Sequence, residues 1–382
     1  MCRQSATVCL TKTPSRQHRA IPAPAERLCH LADPRDRRGR RHTLVSVLLT
    51  AASAVLAGAR SYLAVGQWAR HAPQDALERL GIRPGGPFAV RRAPSASTLR
   101  RVLTLVCPGA LADLLGSDPA GAASVAVDGK TARGSRTDTA PAAHLLSAVV
   151  PGGRTVSQLR VPDKTTEVTG FTRLLAPFDL TGVVVTADAL HTHREHAKWL
   201  VEAKKAHYLL IVKGNQPGLA AALRALPWKE VTSRRYDREA GHGRRETRSV
   251  RTLTVTDLGL DFPHAVQAAK ILRHRTDIKT GTVTRQTVYA ITDMTAREAS
   301  PQAIGRLARS QWEIEALHHV RDVTFTEDAS KIRAGRGPEN MATLRNFAIT
   351  TLRDAGHRSI AAGLRETSYA PFTRPLDLLD LA

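Results

Sequence analysis

Apolar and small polar positions alternate over 124–127 (SVAV), and the run closes on one acidic residue, Asp128, followed at once by Gly-Lys-Thr-Ala-Arg. That period predicts a strand whose end carries Asp128 out of the sheet. Residues 182–188 (GVVVTAD) form a nearly continuous β-branched run that also closes on an aspartate, the pattern of a strand buried on both faces. Segments 144–150 and 154–161 flank Pro151-Gly152-Gly153, a hairpin signal. Residues 167–178 and 191–206 read as helices, and 207–212 (HYLLIV) as another buried strand. From 217 to 293 the alternation of Thr, Arg and Val in TRSVRTLTVT and TVTRQTVYAIT predicts antiparallel strands with one face in solvent. Helical periodicity returns over 301–320, with Ile304, Leu307, Ala308, Trp312, Glu315 and His319 on or near one stripe, and 338–354 forms one more helix.

Ahead of these strands the pattern is helical. Residues 1–24 are polar and predicted to be disordered. Helices are expected near 25–31, 44–58, 62–71, 73–80 and 97–105, with Ser95 and Ser97 offering N-caps to the last. The apolar stretch 44–58 is short of the ~20 residues that cross a bilayer and carries Ser and Thr, so it reads as a buried core helix. A small all-α N-terminal domain over 25–118 follows, with 116–123 (GSDPAGAA) as linker. Strand, two hairpin strands, helix, strand, helix, strand is the order of a ribonuclease-H-like sheet. The fold class expected is therefore α/β, with a ribonuclease-H-like catalytic domain over 119–360, a β-rich insertion over 217–293, and a loosely ordered tail over 361–382.

Charge narrows the partner. The 382 residues hold 56 Lys plus Arg against 34 Asp plus Glu, a net charge of +22, which favours a polyanion such as nucleic acid. Abundant Arg and Ala also fit a biased codon composition. Aromatic residues make up only 4%, which argues against recognition of single strands by base stacking. Cys2, Cys9, Cys29 and Cys107 are scattered without a CxxC pair, so neither a zinc finger nor a disulfide framework is expected, and a cytoplasmic location fits. The N-terminus has no apolar core of signal-peptide length, and no membrane partner is expected.

On its own, the stretch around Asp128 admits two readings: a turn salt-bridged by Lys130 and Arg133, or a metal-binding aspartate beside phosphate-holding cations. Asp188 repeats the strand-then-aspartate arrangement, and adjacent central strands would bring both carboxylates to one sheet edge. A third carboxylate on the helix closing that edge completes an oxygen-ligand site for divalent metal; Glu315 is the choice, since Glu313 points elsewhere and Glu327 lies beyond the helix. Two ions ~4 Å apart suit in-line phosphoryl displacement. His191, His193 and His196 could form an imidazole metal site, but no second His or Cys cluster supplies the remaining ligands; they read as lining a DNA groove or sitting in solvent. Lys213-Gly214-Asn215-Gln216 follows a buried strand at the same edge, where Lys213 and Asn215 suit phosphate contact; Lys130, Arg133, Lys331 and Arg333 are similar candidates. Trp312 reads as a core residue beneath Glu315. No phosphate loop of the GxxxxGK[ST] or GxGxxG kind is present.

Eight segments in order carry a resemblance over roughly residues 25 to 355. They are ADPRDRRGRRHTL with LAGARSYLAVGQWA, PSASTLRRVL, VAVDGKTARGS, DKTTEVTG, VVVTADALHTHREHA, HYLLIVKGNQP, the GHGRRETR segment, and QWEIEALHHVRDVTFTEDASKIRAGRGPENMATLRN. The chain resembles the DDE transposases of the ISAs-one type insertion sequences and the related H-repeat-associated proteins. The resemblance implies a ribonuclease-H-like core with a DDE triad on Asp128, Asp188 and Glu315, an associated N-terminal domain, and Mg²⁺ (or Mn²⁺) in a two-metal site. It further implies cleavage and joining of double-stranded DNA at terminal inverted repeats, with no covalent enzyme intermediate and a homodimer assembled on two ends. The chain departs from the pattern at Ala316, where the wider group usually has Asn, and at His319. Ala308, Gln311 and Asp322 stand where related transposases have Tyr, Arg and Lys around the Glu. A catalytically silent DNA-binding relative, or a nuclease without strand transfer, are the alternative readings.

Overall fold

A computed structural model describes residues 16–161, 167–241 and 243–381. The disorder expected over 1–24 falls largely on residues outside that range, as does most of the DKTTE segment; Arg16–Arg19 and Pro24–Leu28 are short helices. The chain divides into two compact units. One holds Met1–Asp118, Gly129–Thr166 and Glu315–Ala382, the other Pro119–Asp128 and Glu167–Ile314.

In the first unit, Leu44–Leu56 is a helix because Thr43 caps it through the amide of Ser46 and because nearly every side chain in it is buried. This is the core helix that the apolar stretch predicts; among the described residues no helix is long and apolar enough to cross a membrane. Tyr62–His71 and Ala96–Leu105 start on Ser61 and Ser95, whose side chains accept from Ala64 and Thr98 amides. The N-terminal region is not purely helical: β1 (Pro84–Gly85) pairs antiparallel with β2 (Val90–Arg91). The third strand, β3 (Ser124–Ala132), gives its last residues to this unit. An antiparallel hairpin of β4 (Ala143–Val150) and β5 (Arg154–Val161) turns on Gly152 and Gly153, whose positive φ suits residues without a Cβ.

Helix Gly337–Asp354 is buried along most of its length against β5 and the helices Leu44–Leu56, Ala96–Leu105 and Pro108–Leu115. Its polar side chains serve neighbouring backbones. Asn340 Nδ2 donates to the carbonyls of Leu103 (2.8 Å) and Val106 (3.0 Å), which the end of a helix leaves without partners. Glu327, beyond the helix Pro301–Val323, is buried between Arg321 (2.6 Å) and Arg345 (3.0 Å). Burial alone would raise its carboxyl, yet the two guanidiniums hold it down to about 2.

The tail expected to be loosely ordered instead forms helices Ile360–Tyr369 and Arg374–Leu378. Its anchors are side chains far away in sequence. Thr367 Oγ1 donates to Leu56 O (2.6 Å), Trp68 Nε1 to Pro371 O (3.0 Å), and Arg79 Nε to Leu381 O (2.8 Å). Proline content is a poor guide where such partners exist. Cys107 is disulfide-bonded, a bridge that scattered spacing gives no means of reading, and Cys29 is free and exposed.

The second unit is a mixed sheet with helices. The start of β3 runs parallel to β6 (Val184–Ala187), which runs parallel to β7 (His207–Val212). Helix Pro217–Ala225 follows, and then an antiparallel meander of β8 (Arg234–Gly241), β9 (Arg244–Thr254), β10 (Gln267–Asp277) and β11 (Val283–Thr292). Because β11 pairs with β7, these strands extend the sheet rather than standing apart from it. Ile304 and Ala308 of helix Pro301–Val323 are buried against Leu209, Val250, Ala269, Ile271 and Ala290 on one sheet face.

Candidate active site

Val127 of β3 lies opposite Ala187 of β6 in a parallel ladder, so Asp128 and Asp188 are the next residues along two neighbouring strands. Both strands point the same way, and both carboxylates arrive at the same end of the ladder, strands there being about 4.8 Å apart. Both aspartates are half-buried. The expectation that the strand ends at Asp128 needs correction: β3 continues to Ala132, and it is the pairing with β6 that stops at Val127. Asp188 does end its strand, opening a turn over Ala189–His191.

The loop after β7 grips that turn. Lys213 Nζ lies 2.7 Å from Asp188 Oδ1, Asn215 Nδ2 donates to Ala189 O (2.6 Å), and Gln216 Nε2 donates to Thr192 O (3.0 Å). Lys213 and Asn215, both read as phosphate contacts, thus also position the Asp188 turn. The Lys-Gly-Asn-Gln sequence is a clamp on a carboxylate.

A second clamp escaped the sequence reading. Gln311 is buried, donates from Nε2 to Val127 O (3.0 Å), and accepts at Oε1 from Thr186 Oγ1 (2.7 Å). One amide side chain therefore ties the helix to the last residues of both aspartate-bearing strands. Ser124 and Ser310 add a hydroxyl contact at 3.2 Å. The usable signal was spacing: Gln311 stands one helical turn before Glu315. Trp312 is not an apolar core residue; its ring lies between the guanidiniums of Arg273 (4.2 Å to the ring centre) and Arg248 (4.9 Å).

Two of the three histidines do not line a groove. His191 and His196 are buried, His196 stacks on Phe171 at 4.4 Å, and its two ring nitrogens meet the carbonyls of Val168 (2.8 Å) and His191 (3.0 Å). Burial lowers the pKa of His196, the carbonyl contacts opposing it only in part. Phe171 also lies 5.3 Å from the ring of His191.

In the first unit, Lys130 is buried, with Nζ 2.8 Å from Asp322 and 3.5 Å from Asp328. Asp322 and Asp328 hold it inward, so the expected DNA contact is corrected to a structural ion pair. Arg133 is 82% exposed beside Asp328. Lys331 and Arg333 are exposed and line a cleft of about 1040 Å³ with Arg60 and Arg100. Arg333 Nε also donates to Gly134 O (3.1 Å). Glu315 is exposed on the long helix, and Glu313 is half-buried. Among the described residues no group of three or more His, Cys, Asp or Glu side chains is gathered as a metal centre. The two aspartates present hard oxygen donors, the ligand type that divalent Mg²⁺ and Mn²⁺ take, and the Lys213 ammonium at Asp188 marks a place where a cation is held.

Residues 25–117 match the DDE_Tnp_1-associated family, and residues 120–351 match the Transposase DDE domain family. "Putative transposase YncI" of Escherichia coli O157:H7 is 32% identical over 63% of this chain and 64% of its own length. "H repeat-associated putative transposase YhhI" of Escherichia coli K12 is 26% identical over 85% of this chain and 88% of its own. Among solved structures, a piggyBac transposase synaptic complex with hairpin DNA aligns with a TM-score of 0.37 and 12% identity, over 75% of this chain and 57% of that one. The chain thus spans under two thirds of the lengths of YncI and of the piggyBac chain.

Proposed function

Because the chain belongs to the Transposase DDE domain family, we propose that it is the transposase of an insertion sequence, cutting and joining double-stranded DNA at terminal inverted repeats. The observation that carries this reading is the register of Val127 against Ala187, which sets Asp128 and Asp188 side by side at one end of a parallel ladder. We take the sheet to be ribonuclease-H-like on the chain order of β3, hairpin, helix, β6, helix and β7, with residues 25–118 as the associated domain and 119–360 as the catalytic one.

Asp128, Asp188 and Glu315 are the carboxylates that would hold divalent metal, Mg²⁺ by preference and Mn²⁺ as a substitute. When bound, such ions supply Lewis acidity toward a phosphodiester, activation of a water or 3′-hydroxyl, and neutralisation of the departing oxygen. The protein's own part is positioning. Gln311 fixes the strand ends, Lys213 orients the Asp188 carboxylate, and Asn215 and Gln216 hold the turn behind it. Arg133, Lys213, Asn215, Lys331 and Arg333 are the proposed DNA contacts, and a pair of copies would serve the two ends of an element.

The test is nicking of duplex DNA carrying the terminal repeats, with Mg²⁺ or Mn²⁺, by wild type beside Asp128→Ala and Asp188→Ala. Each carboxylate contributes several kcal/mol to such a reaction, so nicking falls by on the order of 10³-fold while duplex affinity stays within about twofold. Binding without nicking in every protein would replace this reading with that of a silent relative.

A further inference from the structure

The meander β8–β11 sorts its charges by face. Residues directly opposite in antiparallel strands share a face, and so do residues two apart. By the observed register, Asp237, Glu239, Glu246 and Asp277 all lie on the face that helix Pro301–Val323 covers. There Asp237, Glu239 and Glu246 meet Arg235, Arg248, Arg273, Arg275 and the helix residue Arg309 in ion pairs, while Asp277 accepts from the amides of Lys279 and Thr280.

The opposite face carries Arg234, Arg238, Arg245, Arg251, Lys270 and Arg285, and among the described residues of these strands it carries no carboxylate. Arg234, Arg238, Arg245 and Arg285 are exposed. Side-chain contacts agree with the register: Lys270 lies 6.0 Å from the ring centres of Trp228 and Tyr289, and Arg251 donates to Trp228 O (2.5 Å). This face also reaches Lys213. A cavity of about 380 Å³ is lined by Lys270, Leu272, Thr287 and Tyr289 from it, and by Arg224 and Lys213, the same Lys213 that pairs with Asp188. From Lys270 to Thr276 the face runs about 20 Å, and its four strands span about 14 Å, the scale of about half a turn of duplex.

We propose that this carboxylate-free face of β8–β11 is a duplex-DNA docking surface that leads phosphates toward Lys213 and Asp188. The proposal rests on the transposase reading for its choice of duplex DNA, and on charge segregation for its place. A solvated sheet face gains nothing from excluding every carboxylate; like charges held across neighbouring strands repel, and a polyanion relieves that repulsion.

The experiment is fluorescence anisotropy of full-length protein on a labelled 30-base-pair duplex between 50 and 300 mM NaCl. Two triple variants are compared with wild type: Arg238→Gln/Arg245→Gln/Arg285→Gln, and the same positions changed to Lys. The Gln triple should bind on the order of tenfold more weakly at low salt, and its log–log salt slope should flatten by about 0.9 for each phosphate that is no longer neutralised. The Lys triple should keep both affinity and slope within about twofold. Wild-type affinity and slope in the Gln triple would overturn the proposal, as would an equal weakening in the Lys triple, since charge would then not be the cause. Nicking separates this from the wider reading. Metal-dependent nicking by wild type alongside an unaffected Gln triple would remove the surface and leave the transposase; weakened binding by the Gln triple without nicking by wild type would do the reverse.

Discussion

Lys213 Nζ stands 2.7 Å from Asp188 Oδ1, so the aspartate closing β6 is met by the cation that follows its neighbour β7. Both side chains are about half exposed, at 53% and 44%, which limits the pair's worth in stability to about 0–1 kcal/mol. A weak, accessible ion pair is exchangeable for another cation. In Lys213→Met the melting temperature should therefore stay within about 2 °C of wild type, while Mn²⁺ binding without DNA tightens about fivefold, near 1 kcal/mol. Paramagnetic titration of Mn²⁺ measures this directly, and an unchanged affinity would mean that ammonium and metal do not compete for Asp188.

Gln311→Leu keeps the volume of the side chain and deletes both of its hydrogen bonds. Val127 O and Thr186 Oγ1 are then left buried without that partner, at a cost of about 1–3 kcal/mol. Denaturant unfolding should register the loss. Nicking should fall further than stability accounts for, because the strand ends carrying both aspartates lose their common fastening.

Acid should destabilise the protein in two stages. Burial, helped by Arg321 and Lys130, depresses His318 to about 3, so it stays neutral when folded and gains a proton on unfolding. Its contribution is whole above the unfolded value of 6.5 and lost as pH falls toward 3. Glu327, depressed to about 2, contributes above its unfolded value of 4.5 and loses that contribution between 4.5 and 2. The melting temperature should begin to fall below pH 6.5 and fall more steeply below 4.5. A flat profile from pH 7 to 4.5 would contradict the first assignment, and no steepening below 4.5 would contradict the second.

Glu327→Gln tests the same triad at neutral pH. Arg321 and Arg345 are 0% and 3% exposed and would face each other across a neutral amide. Breaking such a buried pair costs about 3–5 kcal/mol, and thermal melting should show it. Because Glu327 is not a member of the proposed catalytic triad, nicking per folded molecule should survive at temperatures where the variant remains folded.

What could be read from the sequence was whatever leaves a periodic trace. The β-branched run before Asp188, the hairpin at Gly152-Gly153 and the apolar helix at Leu44–Leu56 each follow from local pattern and emerge where that pattern puts them. The strands from Arg234 to Thr292 were recognisable as strands, but their joining to β7 is a long-range pairing with no local mark. Side-chain roles were harder still. Lys130 and Lys213 look alike in sequence, and only their partners, far away along the chain, separate a buried cation held by Asp322 and Asp328 from a half-exposed one at Asp188. Gln311 carries no charge and stands where related transposases have Arg, so its double contact is a property of the helix docked on the two strands. The histidines misled for a related reason: they read as lining a groove or sitting in solvent, and nothing local marks His191 and His196 as interior groups.

The fastening of the C-terminal helices has a bearing on damaged gene copies. A stop codon near residue 358 would spare every proposed catalytic and DNA-contacting residue. It would nonetheless uncover the end of the helix Leu44–Leu56, the indole of Trp68 and the side chain of Arg79 in one stroke. Such a shortened product would keep its chemistry on paper while presenting apolar surface to chaperones and proteases, and its inactivity in a cell would come from turnover.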